Sequence, residues 1–358
     1  MPRTLGIDPG TVTIDLCGLD DGAVFVDRSL PTAQALADVP AFIAILRDAR
    51  AALIAGPSGY GLPLTPVERA GDTDLRLAYL AATDDHGGIG GLRVLARAMR
   101  DAQLPVLFTP GVIHLTSVPA ARKINRVDMG TADKVCAAAL GVHDQARRRG
   151  CPYTDVSFVL LELGGAFSAA IAVRDGRIID GMGGTAGPMG VRAAGALDGE
   201  VAFLAGTVTK DTLFGGGAAS VIGLTQNAVE HVAAPATERE RMAHDALIES
   251  AAKAVAALCT VVPQPFEILL SGRLTHAGAI ARELRLALSP LAPVRRLEGF
   301  ARTAKEAAQG AALIADGLAG GPNESLVNTL GLREAAGTVL DHLFVITPDA
   351  ARHRLGID

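Results

Sequence analysis

The 358-residue chain has no tryptophan, and Phe, Tyr and Trp together supply only 4% of it. Hydrophobic residues nevertheless reach 49%. Much of that content is alanine, so there is ample aliphatic material for a core. No uncharged apolar run attains the ~18 residues that a membrane-spanning helix needs, which argues against membrane insertion. The N-terminus runs straight into a strand without the layout of a signal peptide, and the expected location is the cytoplasm. Four cysteines, Cys17, Cys136, Cys151 and Cys259, have no metal-ligand spacing and are expected to be reduced and mostly buried. No charge block or low-complexity tail occurs. The net charge of −5 argues against a general nucleic-acid surface. The length allows about two domains at ~100–200 residues each.

What is present is organised around LGIDPGTVTID, residues 5–15. An apolar strand ends at Asp8, turns through Pro9-Gly10-Thr11, and continues as a second strand. Such a turn exposes backbone N–H groups, and Gly10 lets a bulky anion approach them. Thr11 and Thr13 share a face and add hydroxyl donors. Asp8 is placed to hold Mg²⁺ through water beside that anion. The pattern recurs 154 residues later in VLLELGGAFSAA, residues 159–170, where Asp8 maps to Glu162 and Gly10 to Gly164, with Gly165 and Ser168 following. At the same offset the hairpin turn Asp21-Gly22 falls on Asp175-Gly176. The expectation is a duplicated α/β fold with two facing hairpins and a cleft between the halves.

Elsewhere, residues 36–50 read as an amphipathic helix with Pro40 in its first turn. The loop at 56–66 offers Ser58 and Tyr60 as substrate contacts, or serves as a plain connector. Residues 71–83 and 90–102 read as helices flanking a glycine-rich loop, in which His86 is either a lid feature or a solvated loop histidine. Arg122, Lys123 and Arg126 crowd beside Asp128 and Asp133 just before an apolar helix, either as an anion-binding group or as a surface salt-bridge patch. Residues 181–200 hold seven glycines and the single Arg192, and they read as a functional loop without a secondary element or as a flexible surface flap. Residues 210–220, with Lys210 as a candidate phosphate contact, read as another glycine loop. Thr237 and Glu240 form a capping-box signature opening a helix to about residue 262. The tail after 320 reads as a helix and a strand.

The ordered set resembles the superfamily of sugar kinases, acetate kinases, heat-shock chaperone ATPases and actin. It implies duplicated ribonuclease-H-like (actin-like ATPase) domains, at 1–150 and 151–358, with a nucleotide cleft between them. The resemblance implies phosphate contacts at Gly10, Thr11, Thr13, Gly164, Gly165 and Ser168. It places an adenosine loop at Ser271-Gly272-Arg273 in EILLSGRL, and a glycine-containing hinge helix in 303–317.

Three segments are similar to the acetate and butyrate kinase branch: His114-Leu-Thr116-x-x-Pro119, Arg126-x-x-x-Gly130-Thr131-x-x-Lys134, and Gly184-Thr185-Ala-Gly-Pro188 running on to Arg192. KINRVDMGTADK and LDGEVAFL also resemble an uncharacterised family of predicted butyrate kinases. The resemblance implies ATP and Mg²⁺ as cofactors, Asp8 and Glu162 as metal-organising groups, and Arg192 with Arg126 or Arg122 as charge-neutralising cations. It further implies Ser58, His114 and Arg122 near a small acceptor, most simply a short carboxylate, and leaves room for a homodimer. Three departures bear on the substrate. Asp8 replaces the branch's usual Asn, Met129 stands where acetate kinases have a catalytic histidine, and Glu162 replaces an Asp found in many relatives. A hydroxyl acceptor would need a base, for which Asp128 or Asp133 is the candidate. An ATP-driven switch acting on a partner protein is the reading from another class.

Overall fold

The computed structural model describes residues 2–56, 59–81, 92–224 and 228–357. Eleven strands among them form two sheets. The first is ordered β3-β2-β1-β4-β6-β5, from β1 (Arg3–Pro9), β2 (Thr13–Asp20), β3 (Ala23–Pro31), β4 (Leu53–Gly56), β5 (Thr65–Pro66) and β6 (Val106–Phe108). The second is ordered β11-β10-β7-β8-β9, from β7 (Phe158–Leu163), β8 (Ser168–Arg174), β9 (Arg177–Met182), β10 (Glu267–Ser271) and β11 (Val294–Arg296).

The two sheets are built alike. In each, a three-stranded antiparallel meander is extended by two parallel strands, and the first sheet adds the short β5 antiparallel to β6. The correspondence keeps the 154-residue offset down to irregularities. The register shifts at Gly18/Leu19 in one sheet and at Ala172/Val173 in the other. Asp21-Gly22 and Asp175-Gly176 all carry positive φ, between 50° and 76°. Two consecutive left-handed residues match the twist of the flanking strands, which is why Asp-Gly stands at both turns.

Strand alternation divides the interior into three apolar clusters. On β1, Leu5 and Ile7 face outward onto the Val39–Asp48 helix, while on β7, Val159, Leu161 and Leu163 face outward onto the Glu238–Cys259 helix. Between the sheets lie two helices, Ala132–Arg149 and Glu306–Leu318, packed on each other. The first meets Phe158 and Leu269 of the second sheet at Gly141, where a Cβ would stand 2.7 Å from the Phe158 ring. The second lies on β1 at Gly6, where a Cβ would stand 2.2 Å from the Ala312 nitrogen. A Cβ on Gly310 would come within 1.7 Å of the Cys136 carbonyl. Glycine at both positions of the Glu306–Leu318 crossing thus sets the spacing of the whole central layer. Because this helix follows the second sheet in sequence but packs on the first, the two halves are interlocked.

Several expectations are corrected. The helix expected over 36–50 is two helices, Thr32–Ala37 and Val39–Asp48, because Asp38 leaves the helix and caps the second through Ala41 N. The expected helices at 71–83 and 90–102 are Asp72–Tyr79 and Leu92–Asp101, and His86 lies outside the described residues. Residues 210–220 are two short helices, Lys210–Phe214 and Ala218–Ile222, the first capped by Thr209. The tail is helical, with Glu324–Leu330 and Pro348–Arg354 and no strand among the described residues. Phe344 and Val345 instead donate their N–H groups to Asn125 Oδ1. Residues 183–198 hold no helix or strand beyond one bridge from Ala193 to Gly216, and the Thr237–Glu240 capping box opens Glu238–Cys259 as its sequence indicates. All four cysteines are free, with Cys17 and Cys136 buried. No helix among the described residues is long and apolar enough to cross a membrane.

Candidate active site between two matched hairpins

On β1 the inward residues Thr4 and Gly6 are followed by Asp8 at the strand's end, and on β7 Phe158 and Leu160 are followed by Glu162. Period-two alternation therefore carries both carboxylates into the layer between the sheets, at the strand ends where α/β sheets bind ligands. Each strand turns tightly beyond its carboxylate. A Cβ at Gly10 would stand 2.7 Å from the Thr13 carbonyl, and one at Gly164 2.8 Å from the Phe167 carbonyl, the same i to i+3 contact in both copies. Side-chain-free turns leave backbone N–H groups accessible to an anion.

The cleft between these turns has a cavity volume of about 190 Å³ and opens to solvent. The helices Ala132–Arg149 and Glu306–Leu318 direct their N-termini to it, through Thr131, Asp133 and Lys134 and through Lys305, Glu306 and Ala307. Helix N-termini carry partial positive charge and favour anions. Ser271 and Gly272 close the cleft from the end of β10, with Arg273 beside Gly165.

The lining carries the carboxylates of Asp8, Asp128, Asp133, Glu162 and Glu306 against the cations of Lys134, Arg273 and Lys305. Lys134 Nζ lies 2.6 Å from Asp133 Oδ2 and 2.8 Å from Glu162 Oε2, bridging a helix start to the second hairpin. Burial works against the Lys134 charge, but Asp133 and Glu162 outweigh it and hold its pKa above the usual lysine value. Burial also pushes Asp133 up, yet Lys134 and a 2.5 Å bond from Thr131 Oγ1 leave it below the ordinary carboxylate range. Glu162 is raised, by burial first. Asp8 is pushed up to about 7 by burial and then by the Asp133 charge, against the pull of Lys305 and Lys134. This uncompensated negative charge is what a cation would relieve.

Among the described residues, no three His, Cys, Asp or Glu side chains are grouped to cage a metal. Mg²⁺ at phosphate sites is usually held by one or two carboxylates together with phosphate oxygens and water. Asp8, facing the cleft with an unfavourable charge, suits that arrangement. Glu162 is partly satisfied by Lys134.

At the other end of the cleft Tyr60, Phe167 and Phe214 form an aromatic wall. The two Phe rings meet edge to face at 5.2 Å, and Lys210 Nζ stands 5.5 Å from the Tyr60 ring centre. Asp128 ties this end together, accepting from Thr185 N at 2.9 Å, Thr185 Oγ1 at 3.1 Å and Gly130 N at 3.2 Å. Burial nonetheless raises its pKa.

Of the residues the sequence nominates, Asp8, Gly10, Thr11, Asp128, Asp133, Glu162, Gly164, Gly165, Ser271, Gly272 and Arg273 all line this one cleft. Six do not. Thr13 Oγ1 is committed to Asp15 and Lys305. Ser168 is fully buried within β8. His114 is 2% exposed, and burial lowers its pKa to about 4. Its carbonyl accepts from Ala336 N, and the imidazole is held neutral in the interior, outside the cleft lining. Arg122 donates to the Ile179 carbonyl at 2.7 Å and pairs with Asp180, a structural role. Arg126 and Arg192 have exposed side chains outside the lining, although the Arg192 N–H is held on Ala166 at the second turn. Ser58 lies outside the described residues.

Lys305 and Glu306 belong to no motif in the sequence, and Lys134 appears there only as the last residue of Arg126-x-x-x-Gly130-Thr131-x-x-Lys134. Their signal was position. Each opens a helix whose glycine or alanine face allows close packing, so each falls at the cleft.

Among solved structures, the fold is similar to a propionate kinase from Francisella tularensis subsp. tularensis SCHU S4, with TM-score 0.63 and 13% identity over 87% of this chain and 99% of that one. The Porphyromonas gingivalis acetate kinase gives TM-score 0.59 and 12% identity over 87% and 98%. The Entamoeba histolytica acetate kinase gives 0.55 and 11% over 81% and 87%. At such identities the likeness establishes the fold, a duplicated two-sheet α/β architecture shared with acetate kinases. No curated protein matches the sequence. The family model described as "Protein of unknown function (DUF1464)" matches residues 6–345, and the chain belongs to that family.

Proposed function

We propose that this protein is an ATP- and Mg²⁺-dependent kinase of a small molecule, and that its acceptor is a short-chain carboxylate such as butyrate. The observation that carries the reading is the pair of glycine turns at one sequence offset facing a single cleft, each preceded by an inward carboxylate. Residues 1–150 then supply the first phosphate turn and the acceptor segments, and 151–358 the second turn and the adenosine loop at Ser271-Gly272-Arg273.

Phosphoryl transfer requires positioning and charge neutralisation more than covalent chemistry from the protein. Bound Mg²⁺ would neutralise phosphate charge, and Asp8 would hold it. The turns around Gly10 and Gly164 would bind phosphate oxygens through their remaining backbone N–H groups, since the N–H groups of Gly10 and Gly164 themselves donate to the Asp8 and Phe167 carbonyls. Remaining neutralisation falls to the cations that face the cleft, Lys134, Arg273 and Lys305, rather than to the exposed Arg126 and Arg192.

Two features support a carboxylate acceptor over a hydroxyl. A carboxylate is ionised at pH 7 and needs no base. The candidate bases are otherwise engaged, since Asp128 already accepts three hydrogen bonds and Asp133 is held in its weakly basic form by Lys134. The fold shared with the propionate and acetate kinases named above supports this reading.

A second reading, an ATP-driven switch that acts on a partner protein, is favoured by one feature. The Gly199–Ala205 helix exposes Phe203 at 78% and Leu204 at 81%. Release of ADP measured across acetate, propionate, butyrate, longer carboxylates, sugars and polyols decides among them. The carboxylate reading expects turnover with the short acids. Turnover confined to sugars or polyols would replace it with a hydroxyl kinase, and none with any acceptor would favour the switch.

A further inference from the structure

The loop entering the Glu306–Leu318 helix is fixed by side chains at five consecutive N–H groups. Gln309 Oε1 accepts from Phe300 N at 2.6 Å and Ala301 N at 3.0 Å, and its Nε2 donates to the Ala304 carbonyl at 2.7 Å. Asp27, on β3 of the first sheet, accepts from Arg302 N at 2.8 Å, Thr303 N at 3.0 Å and Ala304 N at 2.6 Å. Burial opposes the Asp27 charge, but these three N–H groups with Arg302 hold its pKa below the ordinary value, so the anchor is ionised at neutral pH. A five-residue segment satisfied in this way is preorganised, and what it delivers is Lys305.

Lys305 Nζ donates to Thr13 Oγ1 at 2.5 Å and pairs with Asp15 Oδ2 at 2.9 Å, while Thr13 Oγ1 donates to Asp15 Oδ2 at 2.8 Å. Asp15 is 1% exposed, yet its second oxygen has no hydrogen-bond partner. The ammonium therefore lies beside the first turn, 3.4 Å from where a Gly10 Cβ would be. It is not sealed in. The Lys305 side chain is 39% exposed and lines the cleft, and an ammonium has three donors, of which Thr13 and Asp15 engage two. A lysine that only neutralised Asp15 would have no need of a loop tied at five positions or of a place over the turn glycine.

We propose that Lys305 binds the terminal phosphate of the donor nucleotide at the first hairpin, and that Asp27 and Gln309 are positioning residues that set it there. The proposal rests on the kinase reading above. It assigns to Lys305 the discrimination of a nucleoside triphosphate from a diphosphate, since only the triphosphate presents the group this ammonium reaches. Asp15 and Thr13 hold the ammonium in one place, so little ordering remains to be done on binding.

Calorimetric titration with ADP and with a non-hydrolysable ATP analogue, both with Mg²⁺, tests it on wild type, K305M, K305R, D27N and the double variant D15N/K305M. Wild type should prefer the triphosphate analogue. K305M should lose roughly 10–100-fold of affinity for the analogue, the worth of one charge-assisted hydrogen bond, with ADP binding little changed. K305R should keep part of the preference, and D27N should lose part of it. K305M strands the buried Asp15 charge, so D15N/K305M, which removes both charges, must show the same loss of discrimination. Undiminished preference for the analogue in K305M and the double variant would overturn the assignment of Lys305 and leave the kinase reading intact. Failure of wild type to bind either nucleotide would overturn both.

Discussion

Replacing Asp8 by Asn should make the nucleotide-free protein more stable while weakening its hold on Mg²⁺. Asn keeps the shape of the side chain and removes a charge that burial and Asp133 oppose, so that the Asp8 pKa stands at about 7 against an ordinary 3.8. At about 1.4 kcal/mol per pH unit, that gap corresponds to about 4 kcal/mol of unfavourable free energy once Asp8 is ionised in the folded chain. The sign follows from proton binding. Between about pH 4 and pH 7 the folded chain retains a proton on Asp8 that the unfolded chain has released. Stability therefore falls as pH rises through this window and is level above it with respect to this group. D8N should thus exceed wild type by up to about 4 kcal/mol at pH 8, and the two should converge near pH 4. Urea denaturation of both proteins at intervals from pH 4 to pH 8 measures this directly. Added Mg²⁺ should raise the stability of wild type at pH 8 and leave D8N nearly unaffected. A D8N variant no more stable than wild type at pH 8 would refute the claim that Asp8 is held ionised at a cost in readiness for a cation.

Two more perturbations test the architecture of the cleft. K134M removes the cation shared by Asp133 and Glu162 and should cost about 3–5 kcal/mol, as expected for stranding buried charge; K134M/E162Q should regain part of the loss in the same denaturation experiment. G310A inserts a methyl 1.7 Å from the Cys136 carbonyl at the crossing of the two central helices, and should cost roughly 1–3 kcal/mol or more, read as a lowered denaturation midpoint.

The parts of this fold that were legible in the sequence are those where chemistry forces a residue type. Asp-Gly at 21–22 and 175–176 marked both hairpin turns because left-handed backbone favours such residues, and their common offset exposed the duplication. Gly10 and Gly164 were legible because each turn leaves no room for a Cβ, and Asp8 and Glu162 because strand alternation carries them inward. The cations were not. Arg192 and Arg126 drew attention because glycine-rich and polar surroundings suggest a site, yet their side chains face solvent. Lys134 and Lys305 sit at helix starts in alanine-rich runs, and their importance follows only from how closely those helices pack, which Gly6 and Gly310 permit. His114 misled for a related reason. Its motif suggests an acceptor contact, but it lies in the interior, with its carbonyl bonded to Ala336, more than two hundred residues away in sequence. Local patterns describe turns well, and they carry little information about which surfaces a distant segment covers.

The central claim is that Mg²⁺ and nucleotide occupy the cleft between the two matched turns. Calorimetric titration of the wild-type protein with a non-hydrolysable ATP analogue, with Mg²⁺ and then with EDTA in its place, tests it most directly. The account predicts one site per chain, with affinity that drops sharply when the metal is withdrawn. Absence of binding at millimolar analogue, or binding indifferent to Mg²⁺, would contradict it.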